Sequence, residues 1–269
     1  MSRLLEFQVL KNTRDLGGMP AADGRRVLPG RLIRSGQLAG LSASDSARIS
    51  SLVGLVVDLR TYGEVAEDPD PRIPGVRYVH LPIVESFTEG VSREEESDRN
   101  LVSRLIFDPE GSWRYMCSMY RKFTGDFCVS QYARFIRMLT DSPQKAVLWH
   151  CSVGKDRAGI ATVILCEILG VPREAVIEDY LCTMDYLKGF VEGERQSILK
   201  AVSAEKALSG AETEAISESV DYLFGTHRDY IGAYYEATDR KYGSYDKFIR
   251  DGLGLDDTDI GTLREKLLE

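Results

Sequence analysis

Cys151 and Arg157 flank Ser152-Val153-Gly154-Lys155-Asp156, which gives the spacing Cys-x5-Arg. A loop of that length can curl until its backbone N–H groups and the guanidinium point at one place and hold the oxygens of a phosphate. Arginine suits the task because its planar fork bonds phosphate bidentately, which lysine does not copy. A thiol at a helix start beside Lys155 and Arg157 is expected to titrate at roughly pH 3.5–7.5, as activated cysteines do. The thiolate is then a nucleophile. Attack on a phosphate monoester would form a cysteinyl-phosphate, with the loop's donors stabilising the transition state. The leaving oxygen needs a proton. Asp156, inside the loop, and Glu85, just after Pro82, are the acidic candidates, and Asp156 is preferred. His150 reads as an orienting or structural residue that bonds backbone near the loop, not as a general base.

The neighbouring elements say where this loop must lie. Lys145-Ala146-Val147-Leu148-Trp149 has the unbroken apolar character of a strand buried on both faces, and Ala158 to Leu169 is apolar almost all round, as a core helix would be. The loop therefore joins the carboxyl end of a strand to the amino end of a helix. Open α/β sheets bind ligands there, and the helix dipole and its unpaired N–H groups attract phosphate. Leu32-Ile33-Arg34-Ser35-Gly36 predicts a further strand and its exit. Val53 to Val57 predicts an interior parallel strand, ending in Asp58-Leu59-Arg60-Thr61, and Val76 to Leu81 another, stopped by Pro82. Ser42 and Asp45 have the spacing of a capping box for a short helix toward Leu52.

Trp113 to Leu139 reads as helical, with Asp141-Ser142-Pro143 breaking the pattern. Gly170 is a natural helix stop, and Pro172 opens a helix carrying Val176, Ile177, Tyr180 and Leu181. Tyr186 to Tyr242 predicts helices only, interrupted near Ser209-Gly210 and Gly225, and Ile260, Leu263 and Leu267 mark a last amphipathic helix. The expected architecture is α/β: a parallel sheet flanked by helices, in one domain over 1–269, with helical cap or lid elaborations near 86–128 and 186–242.

Composition narrows the chemistry. The 269 residues, 43% hydrophobic, suffice for one sizeable core, and no Ser/Gly/Pro-rich linker divides them. A net charge of −8 argues against nucleic-acid binding, so an anionic substrate must be drawn by a local positive site. The segment up to Ser35 is one source, being net +4. Residues 85–99 are strongly acidic and predict a surface excursion. Five cysteines without a CxxC pair and three scattered histidines give no metal-ligand spacing and fit a reducing compartment. With no signal-like or membrane-spanning apolar run, a cytoplasmic protein is expected, although secretion without a signal peptide would leave no trace. Nothing in the sequence sets the oligomeric state.

His150-Cys151-Ser152-Val153-Gly154-Lys155-Asp156-Arg157-Ala158-Gly159 resembles the HCxxGKDR[TA]G signature of atypical bacterial tyrosine and lipid phosphatases, within the protein tyrosine phosphatase superfamily. Asn12-Thr13-Arg14-Asp15-Leu16-Gly17-Gly18 with Arg34-Ser35-Gly36, and Asp58-Leu59-Arg60 with Glu64, are similar to other marks of that family. The resemblance implies a parallel-sheet phosphatase fold, no metal or other cofactor, and a phosphorylated protein or phosphoinositide as substrate. Phosphotyrosine is the expected ester, often with phosphoserine, phosphothreonine or phosphoinositides as well. By position it makes Cys151 the nucleophile, Arg157 the phosphate clamp, Asp156 the acid and Lys155 a contact for an additional substrate phosphate. Ser152, Val153, Gly154, Ala158 and Gly159 complete the binding loop. Arg14, Asp15, Asp58 and Arg60 would form either an ion-pair network beneath the loop or direct ligand contacts.

Two departures keep other functions in view. Many superfamily members have Ser or Thr directly after the arginine, where this chain has Ala158, so a phospho-ligand binding module that has lost turnover is the first alternative. No Trp-Pro-Asp acid loop is present, which shifts the proton donor toward Asp156. A thiol-transfer or arsenate-reducing enzyme is the second alternative, weakened by the lack of a neighbouring second cysteine.

Overall fold

In the computed structural model, residues 2–84, 96–141 and 145–269 are described. Glu85, the second acid candidate, and Ser142-Pro143 lie outside them. A six-stranded sheet forms the centre, made of β1 (Arg3–Leu4), β2 (Arg14–Asp15), β3 (Leu32–Ser35), β4 (Val53–Asp58), β5 (Arg77–His80) and β6 (Ala146–His150), in the order β1-β2-β3-β6-β4-β5. The four strands β3, β6, β4 and β5 are parallel, as the apolar runs of β4 and β6 predict for those two. The two short strands β1 and β2 add an antiparallel edge that the sequence did not announce, since two residues each are too few for a periodicity.

The helices are α1 (Ala43–Leu52), α2 (Tyr62–Glu67), α3 (Glu96–Leu105), α4 (Pro109–Lys122), α5 (Asp126–Thr140), α6 (Arg157–Leu169), α7 (Arg173–Leu181), α8 (Thr183–Glu205), α9 (Gly210–Phe224), α10 (Arg228–Tyr242), α11 (Tyr245–Lys247) and α12 (Asp257–Leu267). A π-helical turn, Phe248–Gly252, follows α11. The continuous helix expected from Trp113 to Leu139 is two helices, because the chain turns at Phe123-Thr124-Gly125 and Gly125 takes the N-cap of α5 in an extended conformation. The apolar spacing runs across that turn, which hid it.

Strand β6 shows how the sheet divides the core. Val147 and Trp149 face one layer with α5, α6 and Phe135, while Ala146 and Leu148 face the other with Ile49 of α1 and Val53 and Val56 of β4. Every residue of β6 is buried, which is the reason its sequence is apolar without alternation. Val53 and Val56 reach the same face, although three apart, because the ladder slips between Val53 and Leu55, at Gly54. Helix α6 is buried on almost every residue and stops at Gly170, whose φ of 76° is the left-handed cap glycine supplies without strain. Helices α8 and α9 form a hairpin over Leu187, Val191, Ile216 and Val220, against which Val153 of the loop packs. The described parts of both stretches assigned to a cap are thus helical, and the second touches the loop directly.

Candidate active site

The loop from Cys151 to Asp156 leaves β6 and enters α6. Gly154 makes its curl possible: φ is 73°, and a Cβ there would lie 2.4 Å from the carbonyl oxygen of Ser35. No L side chain fits at that position. Asp156 stands at the N-cap of α6 but gives it no side-chain hydrogen bond, in contrast to Thr61, Ser209 and Asp256, which close capping boxes on α2, α9 and α12. The first N–H groups of α6 therefore have no side-chain acceptor at the cap, which leaves that helix end suited to an anion.

Beneath the loop lies a fully buried polar network. Arg34, from β3, donates to the carbonyl oxygens of Gly154 at 2.7 Å and Lys155 at 3.3 Å, and to Asp179 at 3.3 Å. Arg14, from β2, grips Asp179 through Nε and Nη2, both at 3.1 Å, and reaches Thr183 at 3.0 Å. Asn12 donates to the carbonyls of Val153 and Gly154, at 3.2 and 3.0 Å, and accepts from Arg14. Burial works against ionised Asp179, yet the two arginines hold its carboxyl below the ordinary value. Burial and the nearby Arg14 bring Arg34 down to about 10, so it remains charged at neutral pH. Asp15 takes no part: it accepts from the N–H groups of Gly17 and Gly30, at 2.9 and 2.8 Å, and fixes the turn instead.

A second network surrounds His150. Its Nε2 is 2.7 Å from Asp70 and its Nδ1 3.9 Å from Asp58. The Asp70 carboxylate lies off the hydrogen-bonding direction of the ring, so this contact is chiefly electrostatic. Burial would lower the histidine, but the carboxylates of Asp70 and Asp58 outweigh it and raise its pKa. Arg60 bonds Asp58 at 2.7 Å and Asp70 at 2.9 Å. Asp58, Asp70 and His150 are metal-ligand types grouped within 4.8 Å, and the guanidinium of Arg60 supplies the positive charge that two carboxylates require. Arg14, Asp58 and Arg60 are all engaged in ion pairs within these two networks.

The other side of the loop faces a cavity of about 1060 Å³, lined among others by Cys151, Ser152, Val153, Lys155, Asp156, Arg157 and Glu64. Arg157 is held by Glu64 in a fork of 2.6 and 2.9 Å, and its Nη2 is 3.3 Å from Ser152 Oγ, which also donates to Glu64. Burial pushes Glu64 up, but Arg157 and the Ser152 and Thr61 donors bring it below its usual value; Glu64 in turn keeps Arg157 firmly protonated against its own burial. Glu64 is placed by local structure, because it also closes the capping box with Thr61 at the start of α2. The Thr-x-x-Glu spacing after a strand end was the signal that could have marked it.

Asp156 accepts a hydrogen bond from Tyr120 at 2.6 Å, and the Tyr120 oxygen accepts in turn from the Tyr180 hydroxyl at 2.7 Å. Burial first, then Asp156, raises Tyr120 well above its ordinary value, so it stays a donor. Lys155, 3.5 Å from Asp156, turns its ammonium to the carbonyls of Leu223 at 3.0 Å and Gly225 at 2.9 Å. Burial draws its pKa down. The expected phosphate contact is therefore, in this structure, a tie between the loop and the end of α9. Ala158 and Gly159 are buried in the first turn of α6, where a Cβ on Gly159 would come within 3.2 Å of Arg34.

A thiol and an arginine in one curled loop, at the carboxyl edge of a parallel sheet and on the floor of a cavity, define the class of cysteine-bearing phosphate-loop proteins. The comparisons with known proteins sharpen this. The model of a tyrosine phosphatase family matches residues 5–269. A Cupriavidus necator protein provisionally named a tyrosine-protein phosphatase is 33% identical, over 94% of this chain and 85% of its own. The triple specificity protein phosphatase PtpB of Mycobacterium tuberculosis is 26% identical over 89% and 91%, and a tyrosine-protein phosphatase of Nostoc commune 25% over 92% and 78%. The chain belongs to the tyrosine phosphatase family. It is a phosphoric monoester hydrolase acting on phosphorylated substrates, and no described helix is long and apolar enough to cross a membrane.

Proposed function

We propose that this phosphatase works through a cysteinyl-phosphate on Cys151, with phosphotyrosine as its principal ester and phosphoserine, phosphothreonine and phosphoinositides as further substrates. The name of the triple specificity relative supports the broader range. The observation that carries the reading is that Cys151, Arg157 and Asp156 line one cavity at the end of β6. The Cys151 thiolate attacks phosphorus and the bond to the ester oxygen breaks, while protonated Asp156 gives that oxygen its proton. Arg157, its plane fixed by Glu64, and the loop N–H groups bear the charge of the transferring phosphoryl group. Asp156, now a carboxylate, then takes a proton from water as the water oxygen bonds phosphorus. The phosphorus–sulfur bond breaks and the thiolate returns.

The reaction is assigned to a reducing compartment, which keeps the reactive thiol free. Ala158 offers no hydroxyl to the departing thiolate, so the second half of the cycle is the slower one. Acid-quenched enzyme turning over p-nitrophenyl phosphate should carry phosphate on Cys151 by mass spectrometry. Full activity in a Cys151→Ser variant would sink the mechanism, and a phosphoenzyme that never releases product would turn the reading into that of a binding module.

A further inference from the structure

The cavity over the phosphate loop is far larger than a phenyl phosphate requires. At about 1060 Å³ it stands at the upper end of the range for small-molecule sites, roughly 300–1,000 Å³. Lys155, Asp156, Arg157 and Glu64 are the charged groups at the loop, with Lys11, Glu67, Asp68, Lys122 and Glu194 elsewhere in the lining. The side built by α4, α8 and α9 carries an apolar wall of Met116, Met119, Phe123, Ile198, Leu223 and Phe224 alongside Lys122 and Glu194. The wall begins at the catalytic groups themselves. Leu223 accepts from Lys155, and Met116 lies one helical turn from Tyr120, the donor to Asp156. Whatever oxygen Asp156 protonates therefore leaves toward apolar surface.

Two further features fit an elongated apolar occupant. Gly189 and Gly193 of α8 line the same cavity four residues apart, and neither would meet any atom within 4 Å if it carried a Cβ. Glycine in a helix interior costs roughly 1 kcal/mol against alanine, and no close packing at either position calls for it; what the two glycines do is keep that side of the cavity wide. The methionines add adaptable walls, since the unbranched thioether fits irregular chains.

We propose, resting on the phosphatase reading above, that this chamber binds the body of a single-chain apolar phosphate monoester, an alkyl chain whose terminal phosphate enters the Cys151 loop. Chain methylenes then displace water from the wall, and binding energy gathered far from phosphorus serves the reaction.

The test is kcat/KM for butyl, hexyl, octyl and decyl phosphate, each below its micelle concentration, with p-nitrophenyl phosphate and a phosphotyrosine peptide alongside, for wild type and Gly193→Leu. Wild-type kcat/KM should rise roughly three- to fourfold per added methylene. The decyl-to-butyl ratio should fall at least tenfold in Gly193→Leu, whose leucine occupies the open space and is the better helix former, so folding is not at risk. Turnover of p-nitrophenyl phosphate with a flat chain-length profile overturns the chamber assignment and leaves the phosphatase intact. A flat profile with efficient peptide turnover gives the chamber to peptide instead, and a rise that Gly193→Leu leaves unchanged places the chain elsewhere. Failure on every ester, p-nitrophenyl phosphate included, refutes the phosphatase reading itself.

Discussion

Two arginine–carboxylate pairs grip the same loop, and they differ in what else they touch. Arg34 with Asp179 lies away from the cavity, and the arginine's Nη2 donates to the carbonyls of Gly154 and Lys155. Arg157 with Glu64 lines the cavity that holds Cys151. The first pair turns the backbone carbonyls away from the ligand side, which leaves the N–H groups to the phosphate. The second presents the guanidinium itself. The loop is thus shaped from below by charges that do not line the cavity, and removing one pair should read out as stability while removing the other reads out as rate.

The largest effect belongs to Cys151, the nucleophile of the proposed mechanism. Cys151→Ser should lower kcat on p-nitrophenyl phosphate by about 10⁴-fold or more with the melting temperature nearly kept, as losses of catalytic nucleophiles do. Next comes Asp179→Ala. It leaves Arg14 and Arg34 side by side without their carboxylate and should destabilise by about 3–5 kcal/mol, read in a urea titration. An Asp179→Ala protein as stable as wild type would show that the lower pair is dispensable. Arg157→Lys should cost about 10²–10³ in kcat/KM, because an ammonium cannot span the phosphate as the fork does. Were its main effect on unfolding, the two pairs would share one role and the comparison would fail.

The same division explains what could be read from sequence. The strand, loop and helix from Ala146 to Leu169 were legible because a fully buried strand and a fully buried helix both write unbroken apolar runs, and Cys-x5-Arg falls between them. Asp179 was not. It sits beside Val176, Ile177 and Tyr180 on the buried face of α7, where a single carboxylate gives no hint of two arginines arriving from β2 and β3. The ties of Lys155 were hidden for a related reason: its partners, the Leu223 and Gly225 carbonyls, are backbone groups that any sequence would supply. Tyr120 reads as part of an amphipathic stripe until the fold brings its hydroxyl to Asp156. Residue types that act alone or with near neighbours are visible in the chain, and long-range polar pairing is not.

Tyr120→Phe probes the rate side more gently. Without its hydroxyl, Asp156 loses a hydrogen-bond donor and with it its orientation toward the leaving oxygen, worth about tenfold in rate. The loss should appear with alkyl phosphates, whose oxygen must be protonated to leave, and nearly vanish with p-nitrophenyl phosphate. An equal loss on both would make Tyr120 a packing residue.

The smallest effect concerns pH and the shaping side alone. Asp179 and Asp58 are held below their ordinary values by their arginines and, for Asp58, by His150 as well, against burial. Their stabilisation is complete above the unfolded carboxylate pKa and is lost as pH falls through the folded one. His150 has the opposite sign. Its folded pKa is raised above 6.5, so the folded chain keeps a proton that the unfolded chain gives up; its contribution is full below that pH and fades as pH climbs through the folded value. The melting temperature should therefore decline as pH rises above 6.5 toward the folded value, and His150→Gln, which cannot titrate, should flatten that decline while lowering stability in weak acid. A decline that survives in His150→Gln would move the titrating group elsewhere and leave the carboxylates around Arg60 without a second cation at neutral pH.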